Sequence, residues 1–249
     1  MAPLTETNPH AKNTTSLSSA VALVTGGSRG IGRAIALRLA AMGASVAICG
    51  RDLKALQSVE AELSGRTARV FSQVADVTRS ADVASLLAKT GAALGPVSIL
   101  VNNAGIGGFG PTHEKSEEDW DRVLNTNLKS VFLVSRAVAP SMIRAGRGDI
   151  INISSLAGRN AFAGGGLYCA SKWGVQGLSA CMAEDLREHR IRVSLICPGS
   201  VATEFSGRGP KDPSKVLTAD DVAHAVAMIV TQGPQSFLSE IHLRPLRKA

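Results

Sequence analysis

Apolar residues fall in short unbroken runs separated by longer stretches of helical period, and the alternation repeats from residue 20 nearly to the end of the chain. Runs at 20–24, 45–49, 69–74, 97–101, 150–153, 192–197 and 237–243 read as seven strands. They are continuous rather than alternating, as expected of strands covered on both faces. Helical patterns occupy 31–42, 53–63, 81–94, 117–144, 167–190 and 220–231. Strand and helix in regular succession predict right-handed crossovers, hence an α/β fold with a parallel sheet and helices on both faces. No internal repeat, low-complexity block or charge-run linker interrupts the pattern. Residues 20–249 therefore read as one domain, behind a polar, flexible leader at 1–19.

Composition adds limits to this picture. A chain of 249 residues suits a single α/β domain with a large core. Aromatics make up only 4%, so Ala, Val, Leu and Ile must supply most of the packing. Cys49, Cys169, Cys181 and Cys197 lie far apart with no C-x-x-C pair, which argues against a disulfide framework or structural zinc. A reducing, cytoplasmic setting is the simpler expectation. The leader lacks the apolar centre of a secretory signal, and no stretch of 18 uninterrupted apolar residues predicts a membrane span. The net charge of +7 fits either an anionic partner (a phosphate cofactor, an acidic carrier protein, nucleic acid) or a solvated basic surface. The basic residues are dispersed, without a stripe of Arg interleaved with aromatics, so nucleic-acid binding is not expected. One Gly/Pro-rich stretch deep in the chain, 206–214 (SGRGPKDPS), reads as a flap over a site or as an ordinary surface loop.

The first strand runs into Thr25-Gly26-Gly27-Ser28-Arg29-Gly30-Ile31-Gly32, and a helix follows at once. Gly26 permits a sharp exit from the strand. Gly30 and Gly32 are expected to remove Cβ atoms where backbone approaches a pyrophosphate, which the helix N-terminus attracts. The spacing is G-x-x-x-G-x-G, and the Lys-Ser/Thr ending of a P-loop is missing. The second strand ends Ile48-Cys49-Gly50-Arg51, without the acid that usually holds the adenosine ribose of NAD. Asp52 comes one residue later, where the next helix is expected to begin. Arg51 and Arg29 can instead pair with a 2′-phosphate, so NADP(H) is favoured over NAD(H).

Further polar residues stand where later strands end: Asp76, Asn102-Asn103-Ala104-Gly105, and Ser154-Ser155. Asn127 lies within the long fourth helix. Tyr168, the only tyrosine, and Lys172 are four apart on a helix and share a face. Taken singly, each has an ordinary reading as a packed ring, a solvated lysine or a capping side chain. Taken together they converge at the carboxyl ends of the strands, where open α/β sheets bind ligands. Cys169, beside Tyr168, points elsewhere on the helix and is expected to pack internally. His10, His113, His189, His224 and His242 fit no triad or metal spacing, so no metal is expected.

These motifs resemble the short-chain dehydrogenase/reductase family. They are TGGSRGIG at 25–32, NNAG at 102–105, Asn127, Ser155, YCASK at 168–172 and PGSVAT at 198–203. The resemblance implies a seven-stranded Rossmann sheet, with dimers or tetramers packed through the long central helices. It implies Tyr168 as general acid in reduction and general base in oxidation. Lys172, with an oxidised nicotinamide when present, would lower the phenol pKa, and Lys172 would also hold the nicotinamide ribose. Ser155 would bond the substrate oxygen, and Asn127 would anchor a water relaying protons to Lys172. Cofactor contacts are implied at Gly26, Ser28, Arg29, Gly30, Ile31 and Gly32 of the turn, and at Arg51. Others fall at Asp76 and Val77 on the adenine side, at Asn103, Ala104 and Gly105, and at Pro198, Gly199, Val201 and Thr203 on the nicotinamide side.

The substrate wall is expected from residues 107–109, Leu156, Ala157, Arg159, Phe162 and the segment 201–214. It is mainly apolar, with Arg159 as an anion contact. The resemblance extends to the 3-oxoacyl-[acyl-carrier-protein] reductase branch. The branch's carrier-docking arginine places hold Gly146 and His189, with Arg144, Arg147, Arg187 and Arg190 beside them. The last strand reads FLSEIHLRP instead of a Gly-rich ending. Expected substrates are a 3-oxoacyl thioester, a 3-oxo ester or a ketone. The alternative is an NADP(H)-binding sensor or scaffold without turnover, against which an intact Ser155, Tyr168 and Lys172 argue.

Overall fold

The computed structural model describes residues 16–67, 69–206 and 212–247. Val21–Thr25 (β1) is buried at every position, as a strand covered on both faces must be. The chain continues through α1 (Gly30–Ala41), β2 (Ser45–Gly50), α2 (Leu53–Ser64), β3 (Val70–Val74), α3 (Ser80–Leu94) and β4 (Ile99–Asn102). Its second half holds α4 (Glu117–Leu124), α5 (Ser130–Ala145), β5 (Gly148–Ile153), α6 (Gly166–Arg187), β6 (Ile191–Pro198), α7 (Ala219–Val230) and β7 (Glu240–Leu243). All seven strands pair in parallel, in the order β3-β2-β1-β4-β5-β6-β7. This is the single-domain Rossmann-type sheet that the alternating pattern predicts.

Successive residues of β1 face opposite layers. Ala22 and Val24 pack with Leu39 of α1, Val59 of α2 and Ile229 of α7. Val21 and Leu23 pack with Leu86 of α3, Val138 of α5 and Leu186 of α6. The sheet order turns back between β1 and β4, so the connections leaving these two strands diverge and open a crevice at their carboxyl ends.

A buried chain of polar side chains ties α5 and α6 to the sheet. Asn102 donates to Ser135 of α5 (2.9 Å) and to Asn152 of β5 (2.8 Å), and Asn152 donates to Ser179 of α6 (2.8 Å). All four are buried, so each bond is made in a low-dielectric interior and each lost partner would leave an unpaired polar group.

Two sequence expectations change. The helix expected over 117–144 is interrupted: a π-helical turn, Asn125–Lys129, separates α4 from α5. Widened turns of this kind are often found at functional sites, and this one holds Asn127. Residues 16–19, expected to end a flexible leader, form a packed turn instead. Leu17 is buried and its N–H donates to the Met42 carbonyl at 2.9 Å. The rest of that leader, and most of the stretch expected as a flap, lie outside the described residues. Among the described residues no helix is long and apolar enough to cross a membrane.

Candidate active site

The turn after β1 is welded to the loop after β4. Thr25 Oγ accepts from the N–H groups of Asn103 (3.0 Å) and Ala104 (3.1 Å). The Asn103 side chain donates back to the carbonyls of Thr25 (3.0 Å) and Gly26 (3.1 Å). Gly26 and Gly30 adopt φ of 64° and 53°, a region L side chains rarely enter. α1 then starts with no side-chain cap and no acid in its first turn, which leaves its N–H groups and partial positive charge for an anion. Gly32 departs from expectation. A Cβ there would overlap the Gly26 carbonyl and lie 2.5 Å from Asn103 Nδ2, so its bareness serves turn packing and it does not line the cleft.

That cleft, about 820 Å³, runs along the carboxyl ends of β1, β2, β4, β5 and β6. Its size lies within the ~300–1,000 Å³ of ligand sites. Arg51 lies at one end, and Arg29 lines the cleft with its guanidinium 4.0 Å from the Glu204 carboxylate of the segment after β6. Asp52, the acid nearest this end in sequence, caps α2 by accepting from Ala55 N–H, so its carboxylate is committed there. Asp76 and Val77 also line the cleft. Burial alone would raise the Asp76 carboxyl, but bonds from Thr78 and the charges of Arg51 and Arg79 outweigh it and hold it below the usual range.

Tyr168 and Lys172 project into the other end from α6, with Ser155 at the close of β5. Lys172 is buried, and its ammonium donates to the Ile153 carbonyl at 2.8 Å. Ser155 Oγ accepts from Ala157 N–H at 3.1 Å. Pro198, Gly199, Val201 and Thr203 wall the same end, and Gly199 N–H donates to Leu243 of β7. Asn103, Ala104 and Gly105 complete the floor. Asn127 lies behind the lining, fully buried. Its Oδ1 accepts from Ile106 N–H (2.7 Å), and its Nδ2 donates to the Ile106 carbonyl (2.9 Å) and to Ser171 Oγ (3.0 Å). Thr25 and Ser171 fall inside the motifs at 25–32 and 168–172, but nothing in their spacing, or in that of Ile106, shows that they bridge separate segments.

The short chain dehydrogenase family model matches residues 20–213, most of the chain and every motif but the last strand. The chain belongs to the short-chain dehydrogenase family. Gluconate 5-dehydrogenase of Gluconobacter oxydans is 41% identical over 193 residues, covering 78% of this chain and 75% of that protein. A (3R)-3-hydroxyacyl-CoA dehydrogenase of Mus musculus is 38% identical over 235 residues, covering 87% and 91%. The crystal structure of a metagenomic short-chain oxidoreductase in complex with NADP superposes with a TM-score of 0.83 at 44% identity, covering 94% of this chain and all of that one.

In this short-chain dehydrogenase one sequence expectation about the site fails. Arg159 is not a free anion contact: its guanidinium pairs with Glu240 at 2.6 Å and does not line the cleft. The lowering of the Tyr168 pKa expected from Lys172 together with an oxidised nicotinamide belongs to the cofactor-bound state; in the protein alone burial dominates. Burial pushes the phenol up to about 12, against a hydrogen-bonding interaction with Ser155. Burial likewise pushes the Lys172 ammonium down to about 8. Both shifts disfavour the charged form, as desolvation does.

These shifts carry opposite signs in stability. An amine titrating near 8 when folded and 10.5 when unfolded destabilises the fold below pH 8, and that cost is released between pH 8 and 10.5. Tyr168 contributes stability below pH 10 that is lost as the pH climbs towards 12. Lys172→Met is therefore expected to be most favourable, relative to the parent, at neutral pH. Its stability difference from the parent should fall between pH 8 and 10.5 in denaturant titrations, and a constant difference would contradict the shift.

Parallel pairing of β6 and β7 also gathers Cys197, Glu240 and His242, which no sequence spacing announces. Glu240 Oε1 lies 2.7 Å from His242 Nε2 and 3.5 Å from Cys197 Sγ. Arg159 already neutralises the carboxylate, and burial pushes the thiol up to about 12. A cation there would have to displace the guanidinium and strip the thiol of its proton.

Proposed function

We propose that this chain reduces a carbonyl to a secondary alcohol with NADPH, Tyr168 giving the proton to the substrate oxygen. The observation that carries this reading is the meeting of Tyr168, Ser155 and Lys172, from two separate segments, at one end of the cleft. A general acid must be protonated at working pH and within reach of the oxygen it serves.

The residues present fit a dinucleotide phosphate. The bare turn at Gly26 and Gly30 and the uncapped start of α1 suit the pyrophosphate, and Arg29 and Arg51 suit a 2′-phosphate. NADPH, when bound, supplies the hydride. Ser155 holds the carbonyl oxygen against the phenol, and Lys172 holds the nicotinamide ribose. Asn127 fixes the 105–106 backbone by its paired bonds to Ile106, and its Oδ1 keeps a second lone pair for a relay water. The kinship with a 3-hydroxyacyl-CoA dehydrogenase supports a 3-oxoacyl thioester or 3-oxo ester among the substrates. Half-exposed Trp120 of α4 and Phe132 of α5 support a homo-oligomer packed through these helices.

Arg29 and Arg51 provide the test of the cofactor. Arg29→Ala and Arg51→Ala are each expected to lower kcat/KM for NADPH about tenfold, with little effect on NADH, as loss of a charge-assisted phosphate contact would. Parallel initial-rate measurements with the two cofactors check this. Equal efficiency with NADH in the parent protein would remove the 2′-phosphate assignment.

A further inference from the structure

This chain is poor in aromatics, with six Phe, two Trp and one Tyr, yet four of them meet at the substrate end of the cleft. Phe109 lies 5.4 Å from Tyr168 between ring centroids, Phe205 lies 5.8 Å from Tyr168, and Phe162 lies 6.3 Å from Phe109. These spacings suit favourable tilted ring pairs. Four separate segments supply the rings: the loop after β4, the loop after β5, α6 and the segment after β6.

The rings sit in a built recess. A Cβ on Gly107 would lie 2.7 Å from the Phe109 ring, and one on Gly165 would lie 2.7 Å from the Phe162 ring. Each ring therefore lies against bare backbone, where a Cβ would push it aside. The two loops are joined by Gly110 N–H donating to the Gly164 carbonyl at 2.8 Å. Leu156 and Ala157 extend the apolar wall. Phe162 and Phe205 remain 45% and 43% exposed, so each keeps apolar area for a ligand to cover. Arg159, the cation expected at this wall, is bound to Glu240.

We propose that this recess receives an aryl or other flat apolar substituent of the carbonyl substrate, with Phe109, Phe162 and Phe205 determining specificity. The proposal rests on the carbonyl-reductase reading and narrows it. A substituent stacked among these rings leaves its carbonyl at the Tyr168 hydroxyl. A polyhydroxylated acid, placed on the same wall, would lose water from its hydroxyls with few partners among the described residues to replace it.

Ethyl 3-oxo-4-phenylbutanoate and ethyl acetoacetate differ by one phenyl on a carbon beside the ketone and provide the comparison. With NADPH, the phenyl ester is expected to have a kcat/KM about tenfold higher, the gain appearing in KM, which corresponds to about 1.4 kcal/mol of added binding. Phe162→Ala and Phe205→Ala should each reduce this preference, and the double variant should bring the ratio near one. Calorimetric titration of both esters into the NADP⁺ complex, where no reduction occurs, should give the same preference in Kd. Equal Kd values there, a ratio that survives the double variant, or a ketogluconate outcompeting both esters would overturn the proposal. Absence of NADPH oxidation with every ketone would instead sink the reductase reading, while the Kd comparison would still decide the recess.

Discussion

Tyr168→Phe is expected to lower carbonyl reduction about 10²–10⁴-fold, the range typical for losing a positioned general acid. The substitution removes one oxygen and leaves the ring to pack against Phe109 and Phe205. Folding and NADPH affinity should therefore change little, and the loss should fall on kcat. The parent rate of reduction should stay nearly level through neutral pH, because a phenol titrating near 12 remains protonated throughout. Alcohol oxidation by the same site should rise with pH as more phenolate forms. Single-turnover measurements with preformed NADPH complex separate these effects from cofactor binding. A variant that retains most of its turnover would mean that the proton comes from elsewhere in the cleft.

Gly32→Ala is expected to be the most damaging small change in the cofactor half. The added methyl would meet the Gly26 carbonyl and Asn103 Nδ2, both held in place by the bonds that join the β1 and β4 loops. Backbone cannot swing aside as a long side chain can, so relief requires moving the turn itself. Overpacking of this kind costs about 3 kcal/mol, which in a domain this long lowers Tm by about 6–12 °C. NADPH affinity should fall with it, since Gly26 lines the cleft. Gly177→Ala is the control: a Cβ there meets nothing within 4 Å on an exposed helix position, so Tm should hold or rise. Calorimetric scans of the three proteins check both expectations. A Gly32→Ala protein melting with its parent would show that the turn is free to move.

What the sequence discloses, and what it hides, follows from the range of the interactions. Strands buried on both faces leave continuous apolar runs, so all seven were visible with ends shifted by a residue or a few. Tyr168 and Lys172 are joined by helical spacing, and the glycine turn by its position after β1, so both are local signals. The π-helical turn at Asn127 was invisible, because one widened turn barely disturbs the apolar period of a long helix. The packing role of Gly32 was hidden for a related reason: a Cβ there would meet both the Gly26 carbonyl of the folded turn and Asn103, far along the chain. The pairing of Arg159 with Glu240 and the ring cluster at Tyr168 likewise depend on segments that only the folded sheet brings together. Helical spacing reports the lysine near the phenol but not the burial that disfavours its phenolate.

The central claim is that Tyr168 and its neighbours turn over a carbonyl rather than merely hold a nucleotide. The most direct measurement follows reduced-nicotinamide absorbance and alcohol product together, with purified protein, NADPH and a 3-oxo ester. One alcohol formed per NADPH oxidised, at a rate that Tyr168→Phe largely abolishes, is the predicted result. Saturable NADPH binding with no alcohol formed from any ester, thioester or ketone would contradict it, and would make the chain a nucleotide-binding sensor or scaffold.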